Sequence, residues 1–478
     1  HLLDDPRITS IGLHIEGFGN LRNWEKLARK AHQKNIPIIV LKSGKSQQAK
    51  SAAISHTATI TGSDVGAQAF LDRLGIRRAE SLPVFLEVLK LNHQFGAVES
   101  NQIASISCSG GEAALAADAV YGTSLVFPPL TTRQLKDLRK ALGPMVALAN
   151  PLDYHTYIWR DEPKMTAAWA AMADPKIALT LIISDYPRSD ICDQKDWNCV
   201  TGAAISAAKQ TGRPYAVVAS LGELMPENVA KKLMKNGVAA INGLDHCIQA
   251  LNILTQNLPQ DETPLSLPGP ERTSYILNEY TAKQELARYG ISIPNGNIIS
   301  DRKSAAEKAI ELGFPIAAKI MGLAHKTGSN GLALGLKSPN EVQEILPKLA
   351  AGEVLIEQMI VGTIAELLVG VIRDKAHGYV MTLAAGGTTT ELLGDSTSLL
   401  LPAKRSNVTT ALNSLKMAPL LYGYRGKKKV NFDAILDSIE GIQAYVLANA
   451  DSLEEIEINP LICTAEAAIA ADALIRKA

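Results

Sequence analysis

Apolar and polar positions alternate with two different periods in the first hundred residues. "ITSIGLHIEG" and "IPIIVLKSG" are short apolar runs, and between them "LRNWEKLARKAHQKN" spaces its apolar residues at helical intervals. Strand–helix–strand spacing of this kind predicts a parallel sheet with helices on its faces. A second series, "QIASISCSGG", "ALTLIISDYP", "PYAVVAS" and "GVAAIN", has helical stretches between its members and predicts a second sheet of the same kind. "LPQDETPLSLPGPERTS" then gathers Pro and polar residues and reads as an interdomain linker. After it, "LNEYTAKQELARYGISIP" is a helix stopped by Gly, and "FPIAAKIMG", "VLIEQMI", "AELLVGVIRD", "GYVMTLAAGG" and "EIEINPLICT" are strands of an α+β region. The pattern divides the chain into an α/β domain over 1–97, a second over 98–257, a linker over 258–274 and an α+β domain over 275–478.

Length agrees, since 478 residues make about three domains. Lys plus Arg and Asp plus Glu both number 48, so no net field draws the chain to nucleic acid or an anionic membrane. No apolar run approaches the roughly 20 residues of a membrane span. The cysteines 108, 192, 199, 247 and 463 are scattered without a CxxC, which predicts reduced thiols and a cytoplasmic protein. "HLLDDPRITS" offers no initiator Met and no signal peptide, and reads as a start inside a domain.

Candidate chemistry begins with "SAAISHTATITGSD", where His56 stands among small and hydroxylated residues. A lone loop histidine is commonly just hydrogen-bonded, but a slim loop also lets something large approach the imidazole. Glu16, in "HIEGFG", follows an apolar run and belongs at the C-terminal edge of a sheet, where open α/β folds collect ligands. It is either an ordinary strand-end carboxylate or a partner that fixes one imidazole nitrogen and leaves the other nucleophilic. In "SCSGGEAALAADA", Gly110 and Gly111 form a tight turn, or offer bare amides at a helix N-terminus to a phosphate. Further on, "AAKIMGLAHKTGSNGLALGL" places Lys319, His325 and Lys326 ahead of a glycine stretch ending at Gly331, a combination suited to a triphosphate. Glu357 in "VLIEQM" suits a nucleotide hinge, and Glu457, Asn459 and Asp472 supply hard oxygens suited to Mg²⁺. Singly, each is explained by surface charge; their order over roughly 200 residues is not.

"SHTATITGSD", "SGGEAALAADA", "AAKIMGLAHKTGSNGLALGL", "AAGGTTTELLGD" and "EIEINPLI" together resemble the NDP-forming (ADP-forming) acyl-CoA synthetases, relatives of succinyl-CoA synthetase. The resemblance spans nearly the whole chain and departs at Ala58, where Gly is usual. It implies two flavodoxin-like, succinyl-CoA synthetase-like domains followed by an ATP-grasp domain. It implies an acid–thiol ligase that uses ATP, Mg²⁺ and coenzyme A to turn a small organic acid into its CoA thioester through an acyl phosphate and a phosphohistidine. His56 would carry the phosphate, steadied by Glu16. Lys319, Lys326 and the stretch to Gly331 would hold ATP, with Glu357 at the hinge, and Glu457, Asn459 and Asp472 would organise Mg²⁺. His325 would relay phosphate out of the ATP site. A homo-oligomer, dimer or tetramer, is expected. The family's N-terminal CoA-binding domain is not in this sequence, so binding of ATP without complete ligation is expected of the chain.

The stretch "NPLDYHTYIW" is aromatic for a chain with 5% Phe, Trp and Tyr. Tyr154, Tyr157 and Trp159, with Tyr186, Arg188 and Trp197, are either packing or an acid pocket. As a pocket, the rings suit a cationic acid such as dimethylsulfoniopropionate or a betaine, each contact worth about 0.5–2 kcal/mol. That opens an alternative, a CoA-dependent lyase that activates an onium acid before elimination. A non-catalytic acyl-CoA or nucleotide sensor is a third reading, disfavoured by the joint presence of His56, Glu457, Asn459 and Asp472.

Overall fold

The computed structural model describes residues 1–49, 51, 62–258, 261–301, 304–322, 331–387 and 394–478. They fall into two units, one of His1–Thr59 with Leu71–Glu262, the other of Ile60–Phe70 with Thr263–Ala478.

In the first unit, Ile11–Ile15, Ile38–Lys42 and Arg77–Ala79 form a parallel sheet in that order. Ile38, Ile39 and Val40 are buried, as expected of a parallel strand covered on both faces. The third strand, in "IRRAE", has no apolar run to announce it. A second sheet runs Leu152–Asp153, Ile103–Ser107, Leu179–Ile183, Tyr215–Ala219, Ala239–Asn242, all parallel. In order along the chain this is 2-1-3-4-5, the flavodoxin-like order, with its switch point between Ile103–Ser107 and Leu179–Ile183.

The two sheets share packing. The helix Leu82–Phe95 starts at Ser81, whose side chain accepts the Val84 amide. Its buried Val84, Val88 and Leu91 join Ile103, Leu181, Ile248 and Leu251 in one cluster. Lys90 Nζ donates to the Ala240 carbonyl at 2.7 Å and to Glu87. The expected domains 1–97 and 98–257 therefore meet through a common core.

The second unit has two antiparallel sheets. The smaller runs Gly296–Ile299, Val354–Gln358, Ile316–Ile320, Leu332–Leu336. The larger runs Ser396–Leu400, Gly378–Ala385, Ala365–Asp374, Leu453–Cys463, Ala473–Lys477, Tyr275–Ile276, with Ala468–Ala470 paired to Leu453–Cys463. The helix Phe432–Ala448 lays Ile435, Ile439, Ile442 and Val446 against the large sheet's Val369, Val371, Ile456 and Ile458. The segment expected as a linker is tied down within each unit. Asp261 N donates to the Arg73 carbonyl, while Ser266 N and Gly269 N donate to Leu401 and Ala450 and Leu265 is buried.

Candidate active site

Glu16 leaves the end of Ile11–Ile15, at the strand edge where the apolar run predicts it. Ser43 ties that edge to the next strand, its amide donating to the Ile15 carbonyl at 3.0 Å. His14, Ile15, Glu16 and Gly17 line an open hollow there. His56, the partner assigned to Glu16, lies outside the described residues, as do His325 and Lys326.

Gly110 and Gly111 begin the helix Gly110–Val120, beside the switch point of the second sheet. Ser109 caps it, accepting the Gly111 amide at 3.2 Å. The surroundings are acidic, which the glycine pattern does not announce. A Cβ on Gly110 would lie 3.3 Å from Asp153 Oδ2. Partial burial, with Asp185 and Asp153 nearby, pushes the Glu112 carboxyl up to about 7. An anion reaching these amides meets three carboxylates, one of them half-protonated near neutrality.

The aromatic residues divide by burial. Tyr154 and Tyr186 are 3% and 1% exposed and belong to the second sheet's core, where Tyr186 Oη lies 2.8 Å from Thr201 Oγ1. Trp159 and Trp197 meet edge to face at 5.6 Å against the same core. Tyr157 is exposed, and Arg188 is exposed and paired with Asp190. Four of the six thus sit in or against that core, and Tyr157 and Arg188 stand outside it.

In the second unit Lys319 and Glu357 stand on adjacent strands. Ala317 pairs with Glu357, so Lys319, two residues on, is its diagonal neighbour on the same face. Lys319 Nζ lies 3.0 Å from Glu357 Oε2. Across from them the helix Glu279–Ala287 projects Glu279 and Lys283, one turn apart. Lys283 Nζ reaches Glu279 Oε1 at 2.7 Å and bonds Glu357, and Lys319 Nζ reaches Glu279 Oε1 at 2.8 Å. Lys319 Nζ also donates to the Ala471 carbonyl at 2.6 Å. Burial, then the neighbouring Lys319, pulls the Lys283 ammonium down to about 8. Glu357, expected at an adenine hinge, is thus 2% exposed and held between two lysines. Gly331 is buried, and its carbonyl accepts the Ile320 amide at 2.8 Å, next to Lys319 in the chain.

Glu457 and Asn459 share the strand Leu453–Cys463, and the pairing Ile458↔Ala473 puts Asp472 next in line with Asn459. Asn459 Oδ1 accepts the Gly387 amide at 3.3 Å. Among the described residues no group of three or more His, Cys, Asp or Glu side chains converges on a metal position. Two carboxylates and an amide oxygen still fit Mg²⁺, which keeps waters and takes further oxygens from phosphates.

Sequence reading missed a further contact in this unit. Ser63, from "GSD", donates its amide and hydroxyl to Asp374 Oδ2 at 3.0 and 2.8 Å, and its Oγ accepts the Gly66 amide. Asp374 Oδ1 lies 3.0 Å from Nδ1 of the buried His377. Gly62 has φ +64°, and a Cβ there would sit 2.4 Å from His377 Cε1. Glycine at 62 and a short hydroxyl at 63 are what this close approach requires.

Residues 270–476 match the ATP-grasp domain family, and residues 1–92 match the succinyl-CoA ligase-like flavodoxin domain family. A trans-feruloyl-CoA synthase from an unknown prokaryotic organism is 27% identical over 99% of this chain and 69% of its own length. The ADP-forming acetate–CoA ligase of Methanocaldococcus jannaschii is 26% identical over 96% of this chain and 69% of its own length. Over nearly its whole length the chain is similar to acyl-CoA synthetases, the ADP-forming ones among them. A third synthetase of the same kind, the ADP-forming 4-hydroxybutyrate–CoA ligase of Nitrosopumilus maritimus, is 22% identical over 95% of this chain and 68% of its own length. The three synthetases are named for three different acids. Among the described residues no helix is long and apolar enough to cross a membrane.

Proposed function

We propose that the chain carries the phosphorylation and nucleotide-binding machinery of an ATP-dependent acid–CoA ligase forming ADP, with a small organic acid and coenzyme A as co-substrates. The observation that carries this reading is the gathering of Lys319, Glu357, Lys283 and Glu279 where the small sheet meets the helix Glu279–Ala287, one residue from Asp472 through the Ala471 carbonyl. Lys319 would hold a triphosphate there, and Glu457, Asn459 and Asp472 would hold Mg²⁺, which neutralises phosphate charge.

In this reading a His56 imidazole nitrogen attacks the γ-phosphorus, and the bond to the bridging oxygen breaks to release ADP. Glu16 holds the opposite ring nitrogen and stabilises the cationic phosphoimidazole. A carboxylate oxygen of the acid then attacks the phosphorus, the P–N bond breaks, and an acyl phosphate forms. The CoA thiolate attacks the acyl carbon, and inorganic phosphate leaves.

The test is labelling with γ-labelled ATP and Mg²⁺. The label should be stable in alkali, lost in acid, and absent from His56→Ala. Undiminished labelling of His56→Ala would refute the phosphohistidine assignment.

A further inference from the structure

Four buried charges in the second unit alternate in sign around a closed ring. In order they are Lys283, Glu279, Lys319 and Glu357, with side-chain exposures of 1%, 5%, 9% and 3%. Glu279 Oε1 serves both lysines, at 2.7 and 2.8 Å, and Glu357 gives one oxygen to each. Three elements supply the ring, one helix turn and two antiparallel strands, and its net charge is zero.

We propose that Lys283 is a positioning residue for nucleotide binding: it shares with Lys319 the two carboxylates that Lys319 pairs, Glu279 and Glu357, and so keeps the ring neutral where the phosphates dock. This rests on the nucleotide-site reading above. Without Lys283 the ring holds two carboxylates and one ammonium. Lys319 alone then faces both, and the local charge becomes negative where a polyanion must dock. Buried charge left without its partner is costly, so the imbalance is felt through the site. Lys283 itself touches neither phosphate nor metal in this scheme. It acts through Lys319, which also holds the Ala471 carbonyl next to Asp472.

Charge balance gives opposite signs to the two simplest variants. Lys283→Met leaves a surplus carboxylate and should weaken ADP binding by between about tenfold and a hundredfold, as one unit charge several ångströms away does at a protein-like dielectric. Glu279→Gln leaves a surplus ammonium and should bind ADP at least as tightly as the unaltered protein. The double variant Lys283→Met/Glu279→Gln restores neutrality and should return to within about threefold of it.

The measurement is calorimetric titration of Mg²⁺–ADP into the whole chain and its variants, with a thermal melt of each to register folding. Failure of the unaltered protein to bind ADP overturns the nucleotide-site reading and this proposal with it. Normal ADP binding by Lys283→Met overturns this proposal alone. Equal weakening by Lys283→Met and Glu279→Gln also overturns it, because a merely structural ring has no sign. If Lys283→Met does not fold, the direction of change in Glu279→Gln and the recovery in the double variant decide.

Discussion

Where the strand Ile103–Ser107 ends, Glu112 sits half-buried near Asp185 and Asp153, and its carboxyl titrates at about 7 instead of the ordinary 4.5. The folded protein thus holds this proton more tightly than the unfolded chain. The stability that comes from protonated Glu112 is complete below about 4.5 and is lost as pH rises through about 7. Glu112→Gln keeps the shape and removes the charge. It should raise the melting temperature at pH 8 and leave it nearly unchanged at pH 4. An equal shift at both pH values would show that the carboxyl is not held protonated. The glycines of this helix were legible as a turn, but the acids were not. Asp153 and Asp185 come from other strand ends, and only the parallel sheet brings them beside residue 112.

At the scale of elements, the hairpin between Ala365–Asp374 and Gly378–Ala385 carries a dense knot of hydrogen bonds. Asp374 accepts from the Ser63 amide and hydroxyl and from the amides of Ala376 and His377. Burial works to raise its pKa, but the His377 hydrogen bond and charge and these donors outweigh it, and the carboxyl lies well below the ordinary range. Its contribution to stability is therefore present above the unfolded value and is lost as pH falls below it. Asp374→Ala strands several donors and should cost about 2–4 kcal/mol in denaturant unfolding at neutral pH. Loss of under about 0.5 kcal/mol would mean that the knot is solvated and replaceable.

The same scale explains what the chain reveals of itself. Apolar runs announced the strands Ile38–Lys42, Ile103–Ser107, Leu179–Ile183 and Val354–Gln358, because strands covered on both faces are continuously apolar. Arg77–Ala79 escaped because its arginines look solvent-facing, while the fold gives Arg77 the distant carbonyls of Ile253 and Leu254 and sets Arg78 beside Glu80. Lys319 was legible from its glycine-rich context. Glu279 and Lys283 were not, since one turn apart they look like a solvent-facing helix pair. Only the neighbouring sheets bury them. Tyr154 and Tyr186 show the converse, because composition cannot separate a ring in a pocket from a ring in a core.

On the scale of the whole molecule, each unit has described apolar clusters of its own. The second unit has those around Val369, Val371, Ile456 and Ile458 and around Ile316, Ile320 and Ile356, and the first has those around Ile182, Val217, Ile103 and Leu181. Two such units predict two heat-absorption transitions in calorimetry, since cooperative melting follows the connected core. The proposed nucleotide ligands all lie in Thr263–Ala478. A ligand that binds only the folded form stabilises by about 2.7 kcal/mol at a hundred times its dissociation constant. Mg²⁺–ADP should therefore raise one transition by several degrees and leave the other in place. The shifted transition should be the one that Asp374→Ala lowers, because Asp374 belongs to the same unit. The unmoved one should be the one that responds to Glu112→Gln at pH 8. A single transition that ADP moves as a whole would show that the units melt as one body, and the assignment of nucleotide binding to the second unit would then need Lys319→Met, which should lower the melt of the free protein by stranding two buried carboxylates and should abolish the shift that ADP adds to it.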